Sequence, residues 1–180
     1  GNPPNPDGIM TDYLWKEILT KNKLSRIIEN YAQVVVEEDP DTKKKTVKQI
    51  FPRYHQLDVV EKLLADVKEN GIGKRYLIQH SAGSGKSNSI SWLAHQLIEL
   101  EQDGHPILDS VLVVTDRRIL DKQIRDNIKQ FMQVANTVAW AEHSGDLRDA
   151  IKDGKRIIIT TIEKFPYVVP DIGAKHKNNK

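Results

Sequence analysis

The sequence predicts an α/β fold in which a parallel sheet is flanked by helices and preceded by a helix and a β-hairpin. Three observations predict it. From Phe51 onward, short β-rich runs alternate with stretches of helical apolar spacing, the pattern of a parallel sheet covered by helices. Glycines at Gly71, Gly73, Gly104, Gly145 and Gly154 punctuate that alternation. Before Phe51 the pattern differs: one helical stretch, then two β-rich arms around an acidic turn.

Taken in order, Gly1 to Gly8 (G-N-P-P-N-P-D-G) is a connector with no regular structure. Thr11 to Asn30 reads as helix, with Thr11 or Asp12 as N-cap and K-L-S-R-I-I-E-N-Y as a second short turn. Ala32 to Glu37 and Lys45 to Phe51 form the arms of a hairpin around Glu38-Asp39-Pro40-Asp41, with acidic residues on one arm facing lysines on the other. Arg53 to Asn70 is a helix with apolar positions at Leu57, Val60, Leu63, Leu64 and Val67. Strands follow at 75–79, 111–115, 137–140 and 156–161, with helices at 86–101, 118–131 and 146–152. The expected division is a connector with helix and hairpin over 1–50 and the α/β part over 51–180.

Composition sets limits. A chain of 180 residues can bury a real core, and 38% apolar with 29% charged residues is the balance of a soluble globular protein. The net charge is only +2, so any surface for nucleic acid has to be local. The absence of cysteine excludes disulfides and cysteine-ligated metal clusters and fits a reducing cytoplasm. No apolar run has the length of a membrane span, so a cytoplasmic protein without a membrane partner is expected. The histidines show no metal-ligand spacing, and Trp15, Trp92 and Trp140 read as core or half-buried packing.

The chemistry centres on Gln79-His80-Ser81-Ala82-Gly83-Ser84-Gly85-Lys86-Ser87. R-Y-L-I-Q before it reads as a strand, and Ile90, Leu93, Ala94, Leu97 and Ile98 after it have helical spacing. Strand, glycine-rich loop and helix form the setting of a phosphate-binding loop. Gly83 and Gly85 can take backbone angles closed to other residues, so the N–H groups from Ala82 to Ser87 can curl around an anion. The helix adds the positive end of its dipole. Lys86 would reach the β- and γ-phosphates of a nucleoside triphosphate, and the Ser87 hydroxyl would ligate Mg²⁺. Against the full pattern G-x-x-x-x-G-K-[ST], His80 replaces the first glycine.

Three further segments narrow the reading. F-P-R-Y-H-Q-L-D-V-V, Phe51 to Val60, opens a helix about 30 residues before Lys86. V-L-V-V-T-D-R-R-I-L-D-K-Q, Val111 to Gln123, is an apolar strand whose C-terminal end carries Arg117, Arg118 and Gln123, where α/β sheets bind ligands. R-I-I-I-T-T-I-E-K-F, Arg156 to Phe165, is a buried strand ending in Thr160 and Thr161, with Lys164 beyond. Plainer readings stand beside these. Gln56 could be an ordinary helix N-terminal residue, Asp116 a helix cap, and the threonines a β-branched strand end. Asp116 could instead close a Walker B strand as in a P-loop kinase or GTPase, although no N-K-x-D for guanine is present. A non-catalytic nucleotide- or DNA-binding module is the remaining alternative.

Together these segments resemble superfamily 2 helicases and translocases, and their wording is similar to the restriction (R) subunit of type I restriction enzymes. H-S-A-G-S-G-K-S matches that family's loop, in which histidine commonly replaces the first glycine; D-R-x-x-L-D-x-Q and T-T-I-x-K-F match two further motor segments. The resemblance implies a RecA-like P-loop lobe, ATP and Mg²⁺ as cofactors, and double-stranded DNA as a partner. It makes Gln56 the residue that reads adenine, with Arg53 and Tyr54 shaping the pocket. It implies that Arg117, Arg118, Gln123, Thr160, Thr161 and Lys164 meet the DNA backbone, and that methyltransferase and specificity subunits complete a restriction–modification complex. G-N-P-P-N-P-D-G and T-D-Y-L-W-K-E-I-L resemble the connector between nuclease and motor. Both ends read as cuts through a longer protein. The sequence holds no D-E-x-H segment, so this piece by itself is expected to have negligible ATPase activity.

Overall fold

The structure is a computed structural model that describes residues 5–39, 41–116, 128, 138–141 and 143–164. The chain divides into two compact units, Gly1–Lys62 and Leu63–Lys180.

In the first unit the helical stretch is broken in two. Leu14–Ile18 forms a π-helical turn closed by the Leu19 N–H on the Leu14 carbonyl at 2.7 Å. Thr20 is extended (φ −65°, ψ 146°), and α1 then runs from Lys21–Asn30. The expected single helix over Thr11–Asn30 is corrected accordingly, and neither Thr11 nor Asp12 caps a helix with its side chain. Asp12 instead accepts hydrogen bonds from Asn5 Nδ2 at 2.8 Å and from Lys16 Nζ, and both hold its carboxyl below the usual range. Trp15, expected to be packed, is 48% exposed.

The hairpin forms as expected. β1 (Gln33–Glu38) pairs antiparallel with β2 (Lys45–Ile50), with Val36 opposite Val47 and Glu38 opposite Lys45. Asp39 builds the turn: its Oδ1 accepts from the N–H groups of Asp41 (3.0 Å) and Thr42 (2.7 Å), which holds its carboxyl below the usual range. α2 spans Tyr54–Asn70, and the division between the units falls inside it. Within the first unit, Lys23 and Arg26 of α1 pair with Glu61 of α2, the arginine at 3.8 Å.

The second unit is an α/β layer structure. Among the described residues, its sheet contains β5 (Val111–Thr115), β6 (Val138–Trp140) and β7 (Ile157–Thr161), all parallel, in the order β5-β7-β6. β7 lies in the middle and every one of its residues is buried, as a parallel strand covered on both faces requires. On one face Ile157 and Ile159 pack with Ala94 and Ile98 of α3 (Lys86–Ile98), together with Val113 and Ile128. On the other, Ile158 packs with Ala141 and with Leu147 and Ala150 of α4 (Ser144–Lys152). Each fully buried Ile or Leu contributes about 1.5–3 kcal/mol. This is the expected fold: a partial RecA-like α/β domain with a parallel sheet flanked by helices.

Two expectations are corrected here. The helix at 86–101 ends at Ile98, and Glu101–Gln102 (β3) pairs with His105–Pro106 (β4) around a turn in which Asp103 and Gly104 both have positive φ. The strand at 75–79 does not form. Arg75 to Gln79 is an exposed segment, with Leu77 94% exposed and no strand beside it among the described residues. Its apolar composition suits a strand, but a strand needs a ladder partner, and composition cannot supply one. The expected helix at 118–131 lies outside the described residues apart from Ile128, which is helical and fully buried.

Candidate nucleotide-binding site

The glycine-rich loop forms the N-terminus of α3. Gly83 (φ 72°) and Gly85 (φ 79°, ψ 35°) both occupy the left-handed region, where a side chain would strain the backbone. The Gly85 carbonyl accepts the first helical hydrogen bonds, from the N–H groups of Asn88 (3.1 Å) and Ser89 (3.3 Å). The first N–H groups of a helix have no acceptor within it, so the start of α3 offers donors and the positive dipole end together.

Lys86 is the first residue of α3, and its exposed side chain bends back across the loop. Nζ donates to the Ser81 carbonyl at 2.7 Å and the His80 carbonyl at 3.1 Å. The ammonium is therefore held over the loop and can exchange two exposed carbonyls for phosphate oxygens. Ser87, half-buried, follows it in the first turn, and its carbonyl accepts from Ser91 Oγ at 2.9 Å. Ser84 is buried within the loop, while Ala82 and Gly83 are exposed. The donor set fits a phosphate group with Mg²⁺: a lysine ammonium on a long stem, a hydroxyl one residue on, and a glycine-shaped backbone.

The far end of the helix is fixed on the sheet: Arg156, just before β7, donates through Nη2 to the carbonyl of Ile98, the last residue of α3. The C-terminus of α3 thus lies at the N-terminal edge of the strands. At their C-terminal edge, where α/β sheets bind ligands, the register brings Thr115 level with Thr161, followed by exposed Asp116 and the 3₁₀ turn Ile162–Lys164.

The residues expected at DNA divide into two groups. Arg117, Arg118 and Gln123 lie outside the described residues. Thr160 and Thr161 are 0% and 2% exposed, and among the described residues neither hydroxyl has a hydrogen-bond partner. The Thr160 carbonyl accepts from Thr115 Oγ1 at 3.5 Å. Lys164 ends the 3₁₀ turn.

The residues expected around adenine belong to the first unit. Gln56 is buried, and its Oε1 accepts from the Arg53 N–H at 2.8 Å. This is the return arm of a capping box, with Arg53 before the helix and Gln56 at its third position. Arg53 and Tyr54 line an open groove of about 560 Å³, together with Tyr13, Phe51, Pro52 and His55. Tyr13 meets Tyr54 edge-on, with ring centroids 6.0 Å apart at 73°. Gln56 is not among the groove's lining residues. Tyr13, 41 positions before its ring partner, carries no local sequence signal.

A second feature missed in the sequence anchors the approach to the loop. Asp66 of α2 accepts from Asn70 Nδ2 (2.7 Å), Lys74 Nζ (2.6 Å) and the Tyr76 hydroxyl. Lys74 and Tyr76 hold the Asp66 carboxyl below its usual range, and Asp66 pushes the Tyr76 phenol up. Behind the loop, His95 of α3 is buried with Nε2 3.4 Å from the Ile128 carbonyl, and its burial lowers its pKa.

Comparison with known proteins agrees with this geometry at the level of family. The family model described as SWI2/SNF2 ATPase matches residues 55–180, more than half of the chain and all of the α/β unit. No curated protein and no solved structure gives a significant match. A match of this extent, over a glycine-rich loop that opens a helix, shows that the chain belongs to the SWI2/SNF2 ATPase family, the helicase-like ATPases of superfamily 2.

Proposed function

We propose that the chain is the ATP-binding part of a DNA translocase motor of a type I restriction endonuclease, acting in the cytoplasm with methyltransferase and specificity subunits. The observation that carries the nucleotide half is the Lys86 ammonium, held across a loop of two left-handed glycines at the start of α3. The restriction half is supported by the wording of three segments: H-S-A-G-S-G-K-S, D-R-x-x-L-D-x-Q and T-T-I-x-K-F.

In this reading Lys86 leaves the Ser81 and His80 carbonyls and takes up the β- and γ-phosphates. Backbone N–H groups from Ala82 to Ser87 surround them. Ser87 is the residue that would hold Mg²⁺, which neutralises phosphate charge when bound. Arg53, Tyr54 and Gln56 serve the adenine. Arg117, Arg118, Gln123 and Lys164 serve the DNA backbone, a contact independent of base sequence and sensitive to salt; Thr160 and Thr161, buried in this structure, join them only if their strand end is uncovered when DNA binds.

The test is ATP hydrolysis by the intact protein with and without duplex DNA. The expected result is hydrolysis stimulated by DNA of any sequence, weakened by salt and lost in Lys86→Ala. Hydrolysis indifferent to DNA would refute the motor, and hydrolysis indifferent to Lys86→Ala would refute the site.

A further inference from the structure

The open groove of the first unit combines aromatic side chains (Tyr13, Phe51 and Tyr54) and Arg53 with an aliphatic lining that includes the buried Ile27 and Leu57. A volume of about 560 Å³, mostly apolar with a few polar groups, has the size and make-up of a small-molecule site. Gln56 does not line it, and its Oε1 is engaged by the Arg53 N–H, so a base lying there has to be held mainly through its faces. Tyr13 is placed for that. It stands at the start of the π-helical turn Leu14–Ile18, a kind of turn frequent at functional sites. The buried Asp12 beside it is tied by Asn5 and Lys16, which steadies the backbone that carries the ring. The Tyr13 and Tyr54 rings meet edge-on, with centroids 6.0 Å apart at 73°, so their faces point in different directions around the groove. Arg53 is exposed, and its guanidinium forms no ion pair among the described residues.

We propose that Tyr13 is a binding residue for the purine base of the nucleotide, supplying a ring face on which the base stacks within this groove. The inference rests on the reading of Arg53 and Tyr54 as base-side residues, and adds to it a residue of the connector, 41 positions before Tyr54. Stacking is the chemistry that fits the lining. A purine offers two flat π faces, and aromatic side chains bind bases through them whatever the base edge presents. A planar guanidinium packs on the same kind of face. An aliphatic ligand or an apolar peptide side chain would make no use of Arg53, and a free phosphate would make none of the tyrosine rings.

The probes are ATP and inorganic triphosphate, each with Mg²⁺, titrated calorimetrically into the full chain. The parent is expected to bind ATP more tightly than triphosphate. Tyr13→Leu keeps apolar bulk but has no ring face; it should weaken ATP by about 5- to 100-fold and leave triphosphate unchanged. Tyr13→Phe should bind ATP as the parent does. The proposal is overturned if Tyr13→Leu binds ATP as the parent does, or if it weakens triphosphate equally, the sign of a merely structural loss. A single-stranded oligonucleotide that loses affinity in Tyr13→Leu while ATP does not would assign the ring to a nucleic-acid base, which also overturns it. The underlying reading fails separately. If Tyr54→Leu and Arg53→Ala lower the preference for ATP over triphosphate and Tyr13→Leu does not, the Tyr13 assignment falls alone. If none of the three lowers it, or the parent binds the two ligands equally, the base-side reading falls with it.

Discussion

The Gln56 side chain folds back on its own helix start, accepting the Arg53 N–H at 2.8 Å. A residue read in the sequence as recognising adenine therefore has a second task, closing the N-terminus of α2. The two tasks separate by substitution. Gln56→Ala removes the acceptor and should cost about 1 kcal/mol in chemical denaturation, the usual cost of losing a cap. Gln56→Glu keeps the acceptor and should retain most of the stability. Both should lose preference for ATP over GTP in nucleotide titrations; a Gln56→Glu protein that discriminates as the parent does would leave Gln56 as a cap alone.

Asp66 ties Lys74 and Tyr76 to α2 just before the phosphate loop. Asp66→Asn removes the charge that holds them. Limited trypsin digestion should then cut faster after Lys74 and Arg75, and the Tyr76 phenol should titrate closer to the usual tyrosine value, because the neighbouring carboxylate that raises it is gone. Unchanged cleavage would show that the segment is held by other contacts.

His95 is buried, and desolvation places its folded-state pKa below the ordinary value of 6.5. The unfolded chain therefore binds the proton first as pH falls. His95 contributes stability that is present above about pH 6.5 and lost progressively as pH drops through the folded value. Denaturation midpoints from pH 8 to about 5 should fall in the parent and fall less in His95→Gln. Equal slopes would place the acid sensitivity elsewhere.

Much of this fold was legible from periodicity. β5 matches its expected bounds, α2 begins one residue late, and the hairpin pairs as its charges and valines suggest. The failures have physical causes. α3 stops at Ile98 because Asp103 and Gly104 form a tight two-residue turn, and D-G is a strong hairpin signal that an apolar run at helical spacing concealed. Arg75–Gln79 has the residues of a strand, but pairing is a property of neighbours, not of a segment. At the site, the glycines and Lys86 announce themselves because few other arrangements need them. The Asp66 anchor and the Tyr13–Tyr54 contact depend on tertiary proximity and carry no local pattern. The buried Thr160 and Thr161 show the limit of motif reading: the sequence shows their types and strand position but not which way their hydroxyls face.

Everything proposed for this chain rests on the loop around Lys86 binding a nucleotide's phosphates. Calorimetric titration of ATP and Mg²⁺ into the parent and Lys86→Ala proteins measures that binding. Lys86 is exposed and, among the described residues, donates to the His80 and Ser81 carbonyls, so the substitution should leave the melting transition nearly unchanged. Binding by the parent is expected, with a loss of about 10- to 100-fold in Lys86→Ala, the worth of a hydrogen bond to a charged group. Equal affinity in the two proteins, or no binding by the folded parent, would contradict it.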